Sequence, residues 1–140
     1  MIESLHSPHV ARVKALIGSK GSQERKATGL FVAEGVQAAR EAIGSENGPQ
    51  IEILYYTAEG SARIADLNLH NIETIEVSNA VMEAMTSTVT PQGVLSICSI
   101  PDFSINEFVP HNAKPRIIYL HEIQDPGNAG TILRTADACG

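Results

Sequence analysis

The residues with the clearest chemical potential stand near the end of this 140-residue chain. Residues 125–127, Asp-Pro-Gly, predict a tight turn, and Asn128 is a favourable helix cap directly after it. Gly130 would let another backbone approach closely. Arg134 follows on the predicted helix, three residues before Asp137, so that a carboxylate stands nearby to support the guanidinium. A strand-to-helix turn of this kind is a common place for a functional site.

Two other interpretations of this segment stay open. In the first, Arg134 is a surface residue that pairs locally with Asp137, and spacing alone favours this reading. In the second, backbone N–H groups at the start of the helix cradle a phosphate. The chain has neither the GK[ST] ending of a P-loop nor a GxGxxG turn, which makes the phosphate cradle the weaker alternative.

A second group of chemically interesting residues is basic and lies near the start of the chain. The net charge of -6 argues against a nucleic-acid partner when it is averaged over all residues. Half of the 10 basic residues nevertheless fall between positions 12 and 26, where only Glu24 opposes them: Arg12, Lys14, Lys20, Arg25 and Lys26. The local charge is positive and could bind RNA. A solvated helix face and loop is the alternative.

The elements that must position these residues alternate between helix and strand. Ser7-Pro8 predicts the start of a helix that ends at Gly18, and residues 18–29 predict an exposed loop. Strands are expected at 30–33, 51–56, 72–77 and 93–100, and further helices at 36–43, 61–67 and 78–85. This alternation is typical of an α/β fold with a largely parallel sheet that is covered on both faces.

The chain is expected to contain one domain and the start of another. The first domain spans residues 1–100, and the proline-bearing segment 101–115 is typical of a linker. A second domain begins with a strand at 116–120 and a helix from about 129 to 139. One strand and one helix cannot bury their own apolar faces, so this domain, residues 116–140, is expected to be truncated.

Other features of the sequence limit the possible classes of protein. Cys98 and Cys139 are too few and too far apart for a disulfide framework or a metal site, and they predict buried, reduced thiols. The sequence shows neither a secretory signal nor an apolar run of membrane-spanning length, and a cytoplasmic location is expected.

The segment from Asp125 resembles the first motif of the SpoU (TrmH-like) family of RNA 2'-O-ribose methyltransferases, which belongs to the SPOUT trefoil-knot superfamily. Every fixed position of the pattern DPxNxGxxxRxAxxxG is filled here: Asp125, Pro126, Asn128, Gly130, Arg134, Ala136 and Gly140. Residues 29–35, GLFVAEG, resemble the substrate-binding domain of that family, and residues 90–94, TPQGV, resemble its final strand entry. The resemblance spans nearly the whole chain.

The resemblance implies a fold and an activity. The fold would be a three-layer α/β/α substrate-binding domain of the kink-turn-binding ribosomal protein type, followed by the first βα unit of a truncated trefoil-knot domain. The activity would be methylation of a ribose 2'-hydroxyl in rRNA or tRNA with S-adenosylmethionine, whose site is expected beyond Gly140. The full-length protein would dimerise through its catalytic domain, and this fragment would be inactive.

The resemblance also implies roles for individual residues. Arg134 would act on the attacking 2'-oxygen, as a fixed cation rather than a base, because a guanidinium keeps its proton to a pKa above about 12. Asn128 would orient Arg134 or the ribose, or cap the helix. Glu34 would cap the following helix or hold a basic loop residue. The RNA contacts would fall on the basic residues Arg12, Lys14, Arg25 and Lys26. The alternative function is a stand-alone RNA-binding module without catalytic activity.

Overall fold

The structure of the chain is a computed structural model, which describes residues 1–17, 21–46, 48–88, 90–102, 117–123 and 125–139. The chain divides into two compact units, unit 1 with residues 1–102 and unit 2 with residues 103–140. Most of the predicted linker lies outside the described residues. The domain boundaries expected from the sequence stay predictions.

Unit 1 alternates helices with strands, as the sequence pattern predicts. Its described elements are α1 (Pro8–Ile17), α2 (Gly21–Thr28), β1 (Leu30–Glu34), α3 (Val36–Gly44), β2 (Ile51–Tyr56), α4 (Ala58–Arg63), β3 (Glu73–Glu76), α5 (Asn79–Met85) and β4 (Val94–Ser99). The prediction of an exposed loop at 18–29 is wrong for the residues that form α2. The helix predicted at 61–67 begins earlier, because Thr57 caps α4 by accepting a hydrogen bond from the N–H of Gly60.

The four strands form one mixed sheet in the order β1-β4-β2-β3. β4 runs antiparallel to both of its neighbours, β1 and β2, and only β2 and β3 are parallel. The prediction of a largely parallel sheet is therefore wrong. β1, β2 and β3 run in the same direction, but β4 runs in the opposite direction and lies between β1 and β2, so two of the three strand pairs are antiparallel.

Helices cover both faces of this sheet. On one face, α1 and α5 pack on strand residues that include Ile53, Tyr55 and Leu95. On the other face, α3 packs through Ala39 on Leu54 and Val94, together with Ile64 after α4. The change of face from one strand residue to the next is the pleat of a β-strand. Each buried aliphatic side chain contributes about 1.5–3 kcal/mol relative to an exposed one.

The first helix follows the predicted pattern closely. The hydroxyl of Ser7 accepts a hydrogen bond from the N–H of His9 at 3.3 Å, and α1 begins at Pro8. The recurrent apolar positions Val10, Val13 and Leu16 are buried against the sheet. Residues near the chain start also extend the sheet, because Ile2 forms a parallel bridge with Val77 beyond β3.

The two cysteines lie in different environments. Cys98 is buried in β4, and its burial, together with the charge of Glu52, raises the pKa of the thiol to about 11. Cys139 is exposed, so the prediction of two buried thiols is wrong for this residue. Across the parts of the chain that are described, no helix combines the length and the apolar character that crossing a membrane requires.

Unit 2 contains the helix α6 (Pro126–Ala138), which starts three residues before its predicted beginning. The predicted strand at 116–120 is absent from residues 117–120, which have no regular secondary structure, and Arg116 lies outside the described residues. A strand exists only when a neighbour completes its hydrogen-bond ladder. Large apolar side chains of this unit, including Ile117, Tyr119 and Leu133, are exposed.

Candidate functional site

The turn that begins α6 is capped by Asp125. Its carboxylate accepts a hydrogen bond from the N–H of Gly127 at 2.7 Å, and its carbonyl oxygen accepts one from the N–H of Asn128 at 3.1 Å. The interpretation of Asn128 as the helix cap is therefore wrong. Asn128 lies within the first turn with its side chain exposed, so its amide is available to a ligand.

Arg134 is exposed on the surface of α6 and leans back over Gly130. A methyl group added at Gly130 would lie 3.4 Å from Nη1 of Arg134, which is ordinary van der Waals contact. The structure shows no ion pair between Arg134 and Asp137, nor any other ion pair of this guanidinium with a described residue. A planar guanidinium that forms no ion pair with a described residue can donate two parallel hydrogen bonds to an anion or to a developing negative charge.

The predicted RNA-binding residues of unit 1 differ in what they contact. The guanidinium of Arg12 forms an ion pair with the carboxylate of Glu52 at 2.9 Å. Arg25 donates a hydrogen bond at 2.5 Å to the carbonyl oxygen of Leu16, near the end of α1. Lys14 and Lys26 are exposed and have no ion pair within the described residues. Of these four residues, the two lysines are therefore the ones whose charge forms no ion pair and whose side chain is exposed in the described part of the chain.

Arg25 joins α2 to α1. A side chain at Gly21 would collide with the carbonyl of Leu16, which shows how closely the start of α2 approaches the end of α1. The hydrogen bond from Arg25 satisfies a carbonyl that the end of a helix leaves without an intrahelical partner. We name the exposed surface of Lys14 and Lys26 on these two contacting helices the basic corner. Arg25, which joins the same two helices, has a structural contact that its charge alone did not predict.

A second group of residues meets at one edge of the sheet, where β1 and β2 end and β4 begins. The N–H of Gly35 donates to the carbonyl of Val94 at 2.9 Å, and the N–H of Thr57 donates to the carbonyl of Gly93 at 3.0 Å. Gly35 and Gly93 have φ angles of 93° and 74°, values that favour glycine. Both glycines lie in the two segments that resemble the family, GLFVAEG and TPQGV, but nothing in their spacing placed them side by side.

Glu34 is fixed at this edge by residues of the loop that follows α5. One carboxylate oxygen accepts hydrogen bonds from the N–H and the hydroxyl of Ser87 at 2.9 and 2.8 Å, and the other accepts one from the hydroxyl of Thr88 at 3.0 Å. The expectation that Glu34 caps α3 or holds a basic residue is wrong. α3 begins at Val36 with Gly35 as its N-cap residue and no side-chain cap, and the partners of Glu34 are neutral hydroxyl and amide groups.

These hydrogen bonds make the ionisation of Glu34 a source of pH dependence. Partial burial raises the pKa of Glu34, but the hydrogen bonds from Ser87 and Thr88 outweigh it, and the pKa lies below the ordinary value of 4.5. The stabilising contribution is fully present above that ordinary value and is lost as the pH falls through the lowered one. We expect Glu34→Gln to make the free energy of unfolding less dependent on pH below about pH 5, as measured by urea denaturation at several pH values.

Glu41→Gln is the matched control for this measurement, because Glu41 is an exposed carboxylate on α3 whose described hydrogen bond comes from Gln37. It should leave the acid dependence close to that of the unaltered chain. Equal acid dependence of the unaltered chain and Glu34→Gln would contradict the prediction.

Comparison with known proteins identifies what this arrangement is similar to. Residues 8–96 match the family described as MRM3-like substrate binding domain. The chain is 32% identical over 139 residues to the Bacillus subtilis protein named 23S rRNA (guanosine(2553)-2'-O)-methyltransferase RlmP, a match that covers 99% of this chain and 51% of that protein. It is 30% identical over 135 residues to rRNA methyltransferase 3A, mitochondrial, of Danio rerio, covering 94% of this chain and 30% of that protein.

Solved structures agree with the sequence matches. The AdoMet-bound rRNA methyltransferase from Sinorhizobium meliloti superposes with a TM-score of 0.73 at 28% identity, covering 99% of this chain and 51% of that one. The SpoU methyltransferase AviRb from Streptomyces viridochromogenes, at 21% identity and a TM-score of 0.71, shares the fold. The chain spans about half the length, or less, of the relatives it matches.

Proposed function

The chain belongs to the family of MRM3-like substrate-binding domains, and from this premise we propose that it supplies the RNA-binding part and the first catalytic motif of an RNA 2'-O-ribose methyltransferase. The observation that carries the proposal is the exposed guanidinium of Arg134 on α6, within a motif that fills every fixed position of the SpoU pattern. Relatives over nearly the full chain are named as rRNA methyltransferases, which supports ribosomal RNA as the substrate class.

Arg134 is proposed to stabilise the charge that develops on the ribose. A 2'-hydroxyl is a poor nucleophile until its proton leaves, and the oxygen becomes anionic as it attacks. S-adenosylmethionine would supply the electrophilic methyl group. A guanidinium does not act readily as a base, but its N–H donors can hold the oxygen and a neighbouring phosphate without losing a proton. Within residues 117–123 and 125–139 we assign no residue to the cofactor.

Asn128 is proposed to orient the ribose or the guanidinium of Arg134. Asp125 already serves as the cap of α6, so the side chain of Asn128 is not needed for that purpose. Its amide carries two donors and an acceptor. A sugar hydroxyl and a guanidinium are both groups that such an amide can bind.

The basic corner is proposed to bind the RNA backbone. Lysine side chains bind phosphates mainly as point charges and release counterions when they do so, which makes the affinity depend on salt. Lys14 and Lys26 are exposed and, in the described part of the chain, without ion pairs, so they offer more to a phosphate than Arg12 or Arg25.

We expect Lys14→Ala with Lys26→Ala to weaken binding to a single-stranded RNA oligonucleotide and to lower the slope of log affinity against log salt by about 2, one for each lost phosphate contact. Fluorescence anisotropy at several salt concentrations measures both effects. Arg40→Ala is the control, because Arg40 pairs with Asp66 through two hydrogen bonds and lies on α3. A salt slope unchanged by the double substitution would place the phosphate contacts elsewhere.

A further inference from the structure

A small cleft lies beside Glu34 at the edge of the sheet where β1 ends and β4 begins. Its volume is about 120 Å³, and its lining includes Glu34, Gly35, three threonines and Gln92. Sites for drug-sized ligands usually measure about 300–1,000 Å³. The cleft is thus suited to the edge of one small ring rather than to a whole nucleotide.

The polar groups of the cleft are unusual for a nucleic-acid site because they are neutral or negative. Thr86, Thr88 and Thr90 contribute hydroxyls, Gln92 contributes an amide, and no lysine or arginine lines the cleft among the described residues. The hydroxyl oxygen of Thr86 is buried and has no hydrogen-bond partner in the described part of the chain. A carboxylate at such a place repels phosphate, so a nucleic acid would have to enter through another group.

The hydrogen bonds of Glu34 determine which lone pairs remain. A carboxylate oxygen has about two lone pairs, and Oε1 of Glu34 already accepts from the N–H and the hydroxyl of Ser87. Oε2 accepts a hydrogen bond from the hydroxyl of Thr88, and the backbone N–H of Thr88 also interacts with this carboxylate. Thr88 donates its hydroxyl proton to Glu34, so the oxygen of this hydroxyl can only accept a hydrogen bond from a ligand. The cleft presents two neighbouring acceptors, Oε2 of Glu34 and Oγ1 of Thr88, which lie 3.0 Å apart.

Two adjacent acceptors match a partner with two adjacent N–H donors. Among the RNA bases, guanine carries such a pair on its Watson–Crick edge, in the imino N1–H and the exocyclic N2 amine. Uracil has one donor on that edge, and the edges of adenine and cytosine pair one donor with an acceptor that the carboxylate would oppose. Unpaired bases in single-stranded RNA are the ones whose Watson–Crick edges are free for recognition.

We propose that this cleft reads an unpaired guanine of the RNA through Glu34 and Thr88, while the basic corner binds the backbone. The inference rests on the proposed RNA-binding function and adds base selectivity to it. It separates two duties in unit 1: cations determine affinity, and one fixed carboxylate with its threonine determines which base is accepted.

The test compares nine-nucleotide uridine RNAs that carry a single central guanosine or inosine, which lacks the exocyclic amine. Anisotropy titrations with the 140-residue chain should give an affinity about tenfold higher for guanosine, within the range of about 1–3 kcal/mol for a good base contact. Glu34→Gln should bring the ratio close to one, because an amide nitrogen cannot accept. Glu41→Gln removes an equal charge on α3, outside the lining of the cleft, and should preserve the ratio.

A second pair of variants guards against a collapse of the loop in Glu34→Gln. Guanosine and inosine share N1–H, so their affinity ratio reports the acceptor of the exocyclic amine, which we assign to Oε2 of Glu34. Thr88→Ser keeps the hydroxyl and should keep both affinities, whereas Thr88→Val removes the acceptor of N1–H and should weaken binding of both RNAs without changing their ratio. Equal affinities of the unaltered chain for the two RNAs, a preference that survives Glu34→Gln, or unchanged affinities in Thr88→Val would overturn the role of the cleft alone. Failure of the unaltered chain to bind either RNA would overturn the proposed function as well.

Discussion

Gly60→Ala is expected to destabilise unit 1 by about 3 kcal/mol, at the upper end of what an overpacked core costs. The added methyl group would collide with the carbonyl of Gly93, and it would also meet Val94 at 3.3 Å. Neither neighbour can retreat easily, because the same carbonyl accepts the N–H of Thr57 and Val94 is buried. The melting temperature, measured by circular dichroism, should fall on the order of 15 °C.

This expectation is opposite in sign to helix propensity, because alanine is favoured over glycine within a helix by about 1 kcal/mol. Gly44→Ala is the matched control: Gly44 ends α3, and a methyl group there would meet nothing within 4 Å. It should leave the melting temperature unchanged or raise it slightly. If the melting temperature of Gly60→Ala equalled that of Gly44→Ala, at or above the parental value, the contact between Gly60 and the backbone of Gly93 would not be tight.

The second large effect concerns chemistry rather than stability. In the proposed full-length methyltransferase, Arg134→Ala should lower kcat at least about 100-fold, the usual loss when one group that stabilises a developing oxyanion is removed. RNA affinity should change little, since the proposed phosphate contacts lie in the basic corner of unit 1. Methyl transfer from radiolabelled S-adenosylmethionine to the RNA substrate measures kcat, and anisotropy measures the affinity.

Two further variants separate the proposed role of Arg134 from simpler ones. Arg134→Lys keeps the charge but loses the planar fork, so it should recover part of the rate and not all of it. Asp137→Asn tests whether Arg134 serves only in a local ion pair, and near-parental turnover is expected because the structure shows no such pair. An Arg134→Ala enzyme with near-parental kcat would remove this residue from the mechanism.

The elements of unit 1 could largely be predicted from the sequence where the signal is local. α1 and α5 begin where Ser7 and Ser78 can accept a hydrogen bond from an N–H of the first turn, and Val10, Val13 and Leu16 recur at helical spacing. Such signals depend on residues within a few positions of each other. Caps and apolar periods are therefore visible before the chain is folded.

The failures concern contacts between distant residues. α2 is polar throughout and carries no apolar stripe, so its residues look like a loop, yet Arg25 joins it to the carbonyl of Leu16 on α1. The strand order also escaped prediction, because periodicity identifies a strand without identifying its neighbours. For the same reason, Glu34 was assigned to nearby residues, whereas its partners Ser87 and Thr88 lie more than fifty positions away.

The candidate sites were predictable to different degrees. Residue types and spacing identified the segment of Arg134, but they favoured Asn128 as the helix cap, whereas Asp125 caps α6. Both residue types are good caps, and the turn geometry selects Asp125. Nothing in the local sequence indicated the cleft beside Glu34, because the segments that form it meet only in the folded sheet.

The position of β4 between β1 and β2 has a consequence for how this chain is made. Ribosomes release residues in order at about 5–20 per second, and the strand that joins β1 to β2 is the last of the four to emerge. A nascent chain that has not yet exposed Val94–Ser99 holds two apolar strands with no common partner. Closure of the sheet must therefore wait for the end of unit 1, so the apolar residues of β1 that face β4 stay exposed until the last strand is made.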